Sequence, residues 1–314
     1  MVSNDLTMAA QIDPFLLHPT FILCEGLSFA KIALKVQQRR CDATNVRIFK
    51  SHYGRHPRHL ARVWRDMQIA AILDAEEAAL KDSFHAFLIA NNFLKCYERN
   101  DVRFSRFSDY HDKQLIEMTW RFVDYIESLA KWKIKCPNKW PVRMGCTVDG
   151  SHFRINEPRD PDMRRNPTNF SYKHNFAGLN YQIAIATWTN KVLYVNTGDP
   201  SSTHDMTAIR KEFIDLVPAK CRVIADSGYT GKSDKEKEIF SVANNMDSDE
   251  VKLFKARARA RQEQFNSRME NYACMANRFI HGIEKHRKCF ASVAVLVQYA
   301  IEDTSSVGEP LDTL

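Results

Sequence analysis

In the stretch Val148-Asp149-Gly150-Ser151-His152, Val148 ends a strand-like run that begins at Arg143. The predicted strand therefore places the acid Asp149 in a turn. An aspartate in this place is usually a turn former. The same design occurs a second time, in Val223-Ile224-Ala225-Asp226-Ser227-Gly228-Tyr229. Because two carboxylates held close together repel each other unless a cation lies between them, the repeated design predicts a site for a hard divalent metal ion.

The chain after Pro141 is predicted to be a mixed α/β region. Strands are predicted at 143–148, 181–188, 192–196 and 221–225, helices at 206–217 and 265–283, and a last apolar run at 290–301 that completes the core. The segment Ser202-Thr203-His204-Asp205 precedes the first of these helices. We interpret it as a helix cap.

The chain before Pro141 is predicted to be helical, because apolar residues recur at helical spacing from about 49 to 129. The prolines at 137 and 141 then mark a boundary. We therefore predict a helical region at 1–140, an α/β domain at 141–303 and a polar tail at 304–314. Within the first, Gly54 separates two helices in the manner of a helix-turn-helix. Arg58 and Arg62 on the second helix would either contact DNA or form a solvated face.

Composition and charge exclude several classes of protein. Lys and Arg outnumber Asp and Glu by 45 to 38, which favours an acidic partner, with nucleic acid first. No glycine-rich loop of phosphate-cradling form occurs, which argues against an ATPase or a dehydrogenase. Eight cysteines without a C-x-x-C pair indicate buried thiols rather than a zinc ribbon. Without an apolar membrane segment or a secretory signal, we expect an intracellular protein, nuclear in a eukaryotic host.

A third acid for the site is sought on the helix around Phe265. Glu263 and Glu270 lie seven residues apart, two turns along one helix face, which could equally be a solvated side. The residues just before them form a basic run that suits a phosphate backbone or is simply a charged surface: Lys252, Lys255, Arg257, Arg259 and Arg261. Of the two glutamates, Glu263 lies nearer to this run.

In their order along the chain, these motifs resemble the Harbinger-like DDE transposases, a group also described as DDE superfamily endonucleases. The matching segments include Lys133-Ile134-Lys135-Cys136-Pro137, Val148-Asp149-Gly150-Ser151-His152, Glu157-Pro158, Ser171-Tyr172-Lys173-His174-Asn175, Ser202-Thr203-His204-Asp205, Ile224-Ala225-Asp226-Ser227-Gly228-Tyr229 and Arg261-Gln262-Glu263-Gln264-Phe265-Asn266. Two positions depart from the family pattern. Gln182 stands where the family commonly has glutamate, and Glu270 stands where a lysine is frequent.

The resemblance implies an RNase H-like mixed sheet flanked by helices, preceded by an all-α region of helix-turn-helix type. It implies that Asp149, Asp226 and Glu263 bind Mg²⁺ or Mn²⁺, as two ions, for DNA cleavage and strand transfer at transposon ends. The expected partner is double-stranded DNA, with a homo-oligomer as an open option. The candidate DNA contacts are Arg58, Arg62, Lys173, Arg257, Arg259 and Arg261.

Two other functions stay open on the sequence. A domesticated transposase copy would bind DNA or a protein partner without cutting, although all three acids are present. An unrelated Mg²⁺-dependent phosphatase is disfavoured, because a basic run and a helical first half suit a polymeric phosphate better than a small ester.

Overall fold

A computed structural model describes residues 18–33, 41–156 and 167–302, and the chain divides into two compact units. The first unit comprises Met1–Ala130, Asn271–Cys274 and Ser292–Ala300, and the second comprises Lys131–Glu270, Met275–Ala291 and Ile301–Leu314. A compact unit is not by itself a domain that folds alone, so the limits at 140 and 303 stay predictions. The tail predicted at 304–314 and the Glu157-Pro158 motif lie outside the described residues.

The first unit is helical, as the sequence predicts. Its helices are α1 Pro19–Phe29, α2 Cys41–Tyr53, α3 Pro57–Ile69, α4 Ala75–Ala79, α5 Lys81–Cys96, α6 Asn100–Arg106 and α7 Asp112–Ser128. Proline opens both α1 and α3, where its missing N–H is not needed, and His18 and His56 cap these two helices. Helix α8, Ala130–Lys133, follows.

An aromatic cluster forms the core of the first unit. Trp64 of α3 is 1% exposed, and its ring lies 5.4 Å from Phe87, 5.5 Å from Phe84 and 6.1 Å from Phe122. Each such ring pair adds about 0.5–1.5 kcal/mol to the area it buries. Trp64 is therefore a core residue of this unit.

A glycine joins α2 to α3. Gly54 has φ +78°, a conformation that an L side chain rarely adopts, and the predicted helix–glycine–helix pattern is therefore present. Arg58 is exposed on α3, whereas the Arg62 guanidinium lies 5.4 Å from the centre of the Tyr299 ring. Arg62 thus has a packing role in addition to any contact with DNA, which stays a prediction for both arginines.

The second unit is built on a mixed sheet. Its strands are β1 Met144–Arg154, β2 Phe170–Ser171, β3 Phe176–Ala186, β4 Val192–Val195, β5 Asp199–Pro200, β6 Arg222–Ala225 and β7 Phe240–Val242. Strand β1 pairs antiparallel with β3 and parallel with β6, which in turn pairs parallel with β7. The short strands β2, β4 and β5 all pair antiparallel with β3. The sheet therefore has β1 at its centre.

Strand β1 is longer than the sequence predicts. The prediction ends it at Val148, but the backbone stays paired with β3 from Cys146 to Arg154. Asp149 consequently lies within a strand rather than at its end. Asp226 directly follows β6, as predicted.

The helices of the C-terminal half also correct the sequence-based boundaries. They are α9 Asp205–Arg210, α10 Phe213–Leu216, α11 Asp234–Ile239, α12 Asp249–Glu270, α13 Ala273–Ala276 and α14 Ile283–Glu302. The helix predicted at 206–217 is thus two short helices. The helix predicted at 265–283 ends at Glu270. Phe279 lies instead in a β-bridge with Ile155, where its N–H donates to the Arg154 carbonyl oxygen and its carbonyl oxygen accepts from the Asn156 N–H.

Two predictions drawn from composition can be compared with the described residues. No helix among them is long and apolar enough to cross a membrane. Among the described cysteines, Cys146, Cys274 and Cys289 are buried, whereas Cys24, Cys96, Cys136 and Cys221 are half-buried. The prediction of buried thiols therefore holds for three of the seven.

Replacing Gly54 with alanine should destabilise the protein by about 1–3 kcal/mol, because the left-handed backbone would carry a side chain. The added Cβ would also lie 2.6 Å from the Tyr272 ring. Gly282→Ala is the matched control, since no atom lies within 4 Å of its added Cβ. Urea unfolding measures both, and equal midpoints for the two variants would contradict the account of this turn.

Candidate active site

A small cleft in the second unit gathers the three acids that the sequence singles out. Its lining consists of Thr147, Val148, Asp149, Asp226, Arg259, Gln262 and Glu263. The strands explain the convergence, because β1 and β6 are parallel neighbours with Thr147 opposite Ile224. Asp149 and Asp226, each two residues further along, thus reach the same edge of this strand pair. Helix α12 brings Arg259, Gln262 and Glu263 to the same cleft.

Asp149 is held by two hydrogen bonds. Its Oδ1 accepts a hydrogen bond from the Gly150 backbone N–H at 2.9 Å, and its Oδ2 accepts one from Asn266 Nδ2 at 3.2 Å. Burial is the largest influence on this carboxyl, followed by the nearby charge of Asp226, and together they raise the pKa of Asp149 to about 6. The cleft therefore disfavours a second negative charge next to Asp226.

Asp226 and the two glutamates of α12 occupy different positions. Asp226 caps the 3-10 turn Ser227–Tyr229, where its Oδ1 accepts from the Gly228 N–H at 2.8 Å. Glu263 lines the cleft although its residue is exposed overall. Glu270 is the exposed last residue of α12 and does not line the cleft. Of the two, Glu263 has the position that the sequence analysis preferred.

The donor chemistry of the cleft fits a hard cation. Asp149 and Asp226 offer carboxylate oxygens, which Mg²⁺ and Mn²⁺ prefer. A cation between them would offset both the burial and the repulsion by Asp226 that raise the pKa of Asp149. In the described part of the chain, no three His, Cys, Asp or Glu side chains are already arranged to hold a metal ion. Glu263 therefore faces the same space as the two aspartates without completing a ligand set.

Helix α12 presents a polar stripe to the cleft, which we call the cleft stripe: Arg259, Gln262, Glu263 and Asn266. These residues have the spacing of one helix face. Gln262 Oε1 accepts from Thr147 Oγ1 at 2.8 Å, and Asn266 Nδ2 donates to Asp149. The other polar atom of each amide, Gln262 Nε2 and Asn266 Oδ1, is buried and has no hydrogen-bond partner among the described residues. The sequence analysis gave Gln262 no role, although its spacing from Glu263 and Asn266 was a usable signal.

A further acid, Asp205, approaches β1 at Gly150. Its Oδ1 accepts hydrogen bonds from Asn180 Nδ2 at 2.9 Å and from Gln182 Nε2 at 2.8 Å. A Cβ at Gly150 would lie 2.5 Å from the same oxygen, so only glycine leaves room for this carboxylate. His204 caps α9, with its Nδ1 accepting from the Met206 N–H. The predicted cap is thus His204, and Asp205 is directed toward the sheet.

Gln182 joins Asp205 to Tyr229. Its Nε2 donates to Asp205, and its Oε1 accepts from the Tyr229 hydroxyl at 2.5 Å. A glutamate at this position could accept from Tyr229 but could not donate to Asp205. The amide therefore links Asp205 to Tyr229 through two hydrogen bonds.

Two members of the predicted basic run are used inside the fold. Arg261 is 5% exposed, and its guanidinium donates to the carbonyl oxygens of Thr187 and Thr189 and to Asn190 Oδ1. The prediction of Arg261 as a DNA contact is wrong, because helix periodicity turns this residue toward the sheet. Lys255 is likewise buried, and it is paired with Asp247 at 2.8 Å.

The remaining cations of this unit are accessible. Arg257 and Arg259 are exposed on α12, and Arg259 lines the cleft. Lys173 is exposed in the turn between β2 and β3. These three residues stay candidate DNA contacts.

Asp149→Asn should stabilise the metal-free protein at pH 8 by about 2–3 kcal/mol, because it removes a half-buried charge whose ionisation the fold opposes. Because the pKa of Asp149 is raised from 3.8 to about 6 in the folded state, the wild-type protein loses stability as the pH rises through this interval. The stability advantage of Asp149→Asn over the wild type should therefore fall below about 1 kcal/mol near pH 4. Urea unfolding in EDTA at both pH values measures this. Asp215→Asn, at a largely exposed surface ion pair, is the control and should change little. A destabilised Asp149→Asn protein at pH 8 would contradict this electrostatic account.

Comparison with known proteins agrees with this geometry over part of the chain. No curated protein matches the sequence. Residues 148–298, which contain Asp149, Asp226 and the cleft stripe, match the family model described as DDE superfamily endonuclease. This match supports the DDE endonuclease superfamily for the segment that carries the cleft, and thereby a transposase-like nuclease.

Proposed function

We propose that the protein is a transposase-type DNA endonuclease whose second unit is an RNase H-like catalytic domain. The observation that carries the proposal is the meeting of Asp149, Asp226 and Glu263 in one cleft within the segment that matches the family. Two of these acids come from neighbouring central strands and the third from a later helix. This arrangement, rather than any single motif, favours phosphodiester chemistry.

The three acids would hold divalent metal ions. Bound Mg²⁺ or Mn²⁺ would supply activation of the attacking hydroxyl group and stabilisation of the leaving oxygen. The protein's own part is to fix the carboxylates: the Gly150 and Gly228 backbone N–H groups orient Asp149 and Asp226, and Asn266 orients the second oxygen of Asp149. Glu263 would move toward the aspartates to complete the ligand set.

Double-stranded DNA is the proposed substrate, with transposon ends as the biological target and strand transfer as the second reaction. Arg259 lies in the cleft and Arg257 is exposed on the same helix, so both can neutralise phosphates next to the acids. In the first unit, α2, Gly54 and α3 have the order of a helix-turn-helix, with Arg58 exposed. That region would bind DNA independently of cleavage.

Asp149→Asn, Asp226→Asn and Glu263→Gln should each reduce Mg²⁺- or Mn²⁺-dependent nicking of supercoiled plasmid at least 100-fold, because each removes a metal-binding charge. Glu270→Gln, on the same helix but outside the cleft, is the matched control and should nick at the wild-type rate. Mn²⁺ should raise the melting temperature of the wild-type protein and not that of the two aspartate variants. Nicking by Asp149→Asn at the wild-type rate would refute the assignment.

Wild-type protein that binds DNA but never nicks it in either metal would favour the alternative, a domesticated DNA-binding factor.

Arg257→Ala and Arg259→Ala together should lower the slope of log affinity for DNA against log salt by about 2, since each lost phosphate contact removes roughly 0.9. The slope is measured by fluorescence anisotropy with a short duplex, between about 50 and 200 mM salt. Arg261→Ala should instead lower the unfolding midpoint, because it removes the three hydrogen bonds that this buried guanidinium donates. An unchanged slope in the double variant would remove α12 from the DNA interface.

A further inference from the structure

Gln262 is a buried amide with one polar atom engaged and one unused. Its side chain is 3% exposed and lines the cleft beside Asp149 and Asp226. Thr147 Oγ1 donates to its Oε1 at 2.8 Å, which fixes the plane of the amide. Its Nε2 has no hydrogen-bond partner among the described residues. A donor in this position can bind an acceptor that enters the cleft.

An unpartnered buried donor is costly to the fold. Leaving such a group without a hydrogen bond destabilises the folded state, whereas an apolar side chain of similar volume would avoid this loss. Gln262 therefore lowers the stability of the ligand-free protein, and a ligand that accepts a hydrogen bond from Nε2 would remove this loss. The ligand must offer an acceptor atom, because Nε2 can only donate.

The neighbours of Gln262 indicate which acceptor fits. Arg259 lies one turn earlier on the cleft stripe and is a cation that lines the same cleft. A cation and a neutral donor side by side suit an anionic oxygen. Asp149 and Asp226 line the same cleft and would repel a bare anion, so the anion would arrive together with the divalent cation of the proposed function.

We propose that Gln262 is a substrate-binding residue, whose Nε2 donates to a non-bridging oxygen of the DNA phosphodiester that enters the cleft. This inference rests on the proposed nuclease function and adds to it the residue that orients the phosphate. Thr147 acts through Gln262 as a positioning residue, because its hydroxyl occupies Oε1 of the amide and leaves Nε2 as the unused donor. In this proposal the Arg259 guanidinium attracts the phosphate by its charge, and the Gln262 amide orients it through a hydrogen bond.

The test uses DNA binding in Ca²⁺, which does not require cleavage. Gln262→Met keeps the size of the side chain and removes the donor, and it should weaken binding of a short duplex about 5- to 20-fold. The salt slope should not change, because a neutral side chain releases no counterion. Gln262→Glu should weaken binding further through repulsion of the phosphate. Gln264→Met, at an exposed position of the same helix, is the matched control and should bind as the wild type does.

A second variant keeps the test decisive if methionine unfolds the protein. Thr147→Val preserves shape and releases the amide, so it should show a smaller loss of affinity, again with an unchanged salt slope. Single-turnover cleavage in Mg²⁺ should fall about 10- to 100-fold in Gln262→Met, with the Mn²⁺-induced rise in melting temperature retained.

Three results would overturn the inference: wild-type DNA affinity in a folded Gln262→Met protein, an altered salt slope in that variant, or tighter Mn²⁺ binding together with undiminished DNA affinity in Gln262→Glu. The last result would assign position 262 to the cation. Failure of the wild type to nick DNA would count against the proposed function, whereas the binding contrast bears on Gln262 alone.

Discussion

The repulsion between Asp149 and Asp226 in a half-buried cleft is the constraint on which the rest of the site depends. Strand β1 lies between β3 and β6, so the backbone that carries Asp149 cannot move away from Asp226 without breaking pairs on both sides. Val148 and Ala225, the residues just before the two acids, are buried in the core of this unit. The fold therefore holds two like charges together, and a cation is the natural counterpart.

The residues around the acids are arranged to keep this geometry. Asn266 and the Gly150 N–H hold Asp149, and Thr147 holds Gln262. Near Gly150, Asp205 is held by the two amides of Asn180 and Gln182. Such contacts fix the orientation of the side chains that would touch a ligand before any ligand binds. Their cost is visible in the unpaired atoms of Gln262 and Asn266.

The sequence predicts the mixed α/β class, the helical first half, the position of Asp226 after a strand and the choice of Glu263 over Glu270 for the cleft. It does not predict the length of β1, because an acid followed by Gly150 indicates a turn. In the structure Gly150 leaves room for Asp205, which is 55 residues away in the sequence. Arg261 looks like part of a basic surface until helix periodicity and the position of the sheet bury it. Tertiary partners decide these cases, and local pattern does not contain them.

The central claim is that Asp149 and Asp226 share a divalent cation, and anomalous diffraction from crystals soaked in Mn²⁺ tests it most directly. The account predicts an anomalous peak within ligand distance, about 2.0–2.6 Å, of carboxylate oxygens from both aspartates. It also predicts that the Glu263 carboxylate turns toward that peak. A saturating soak that leaves the space between the two carboxylates without a peak, or that places Mn²⁺ only at other acids, would contradict the account.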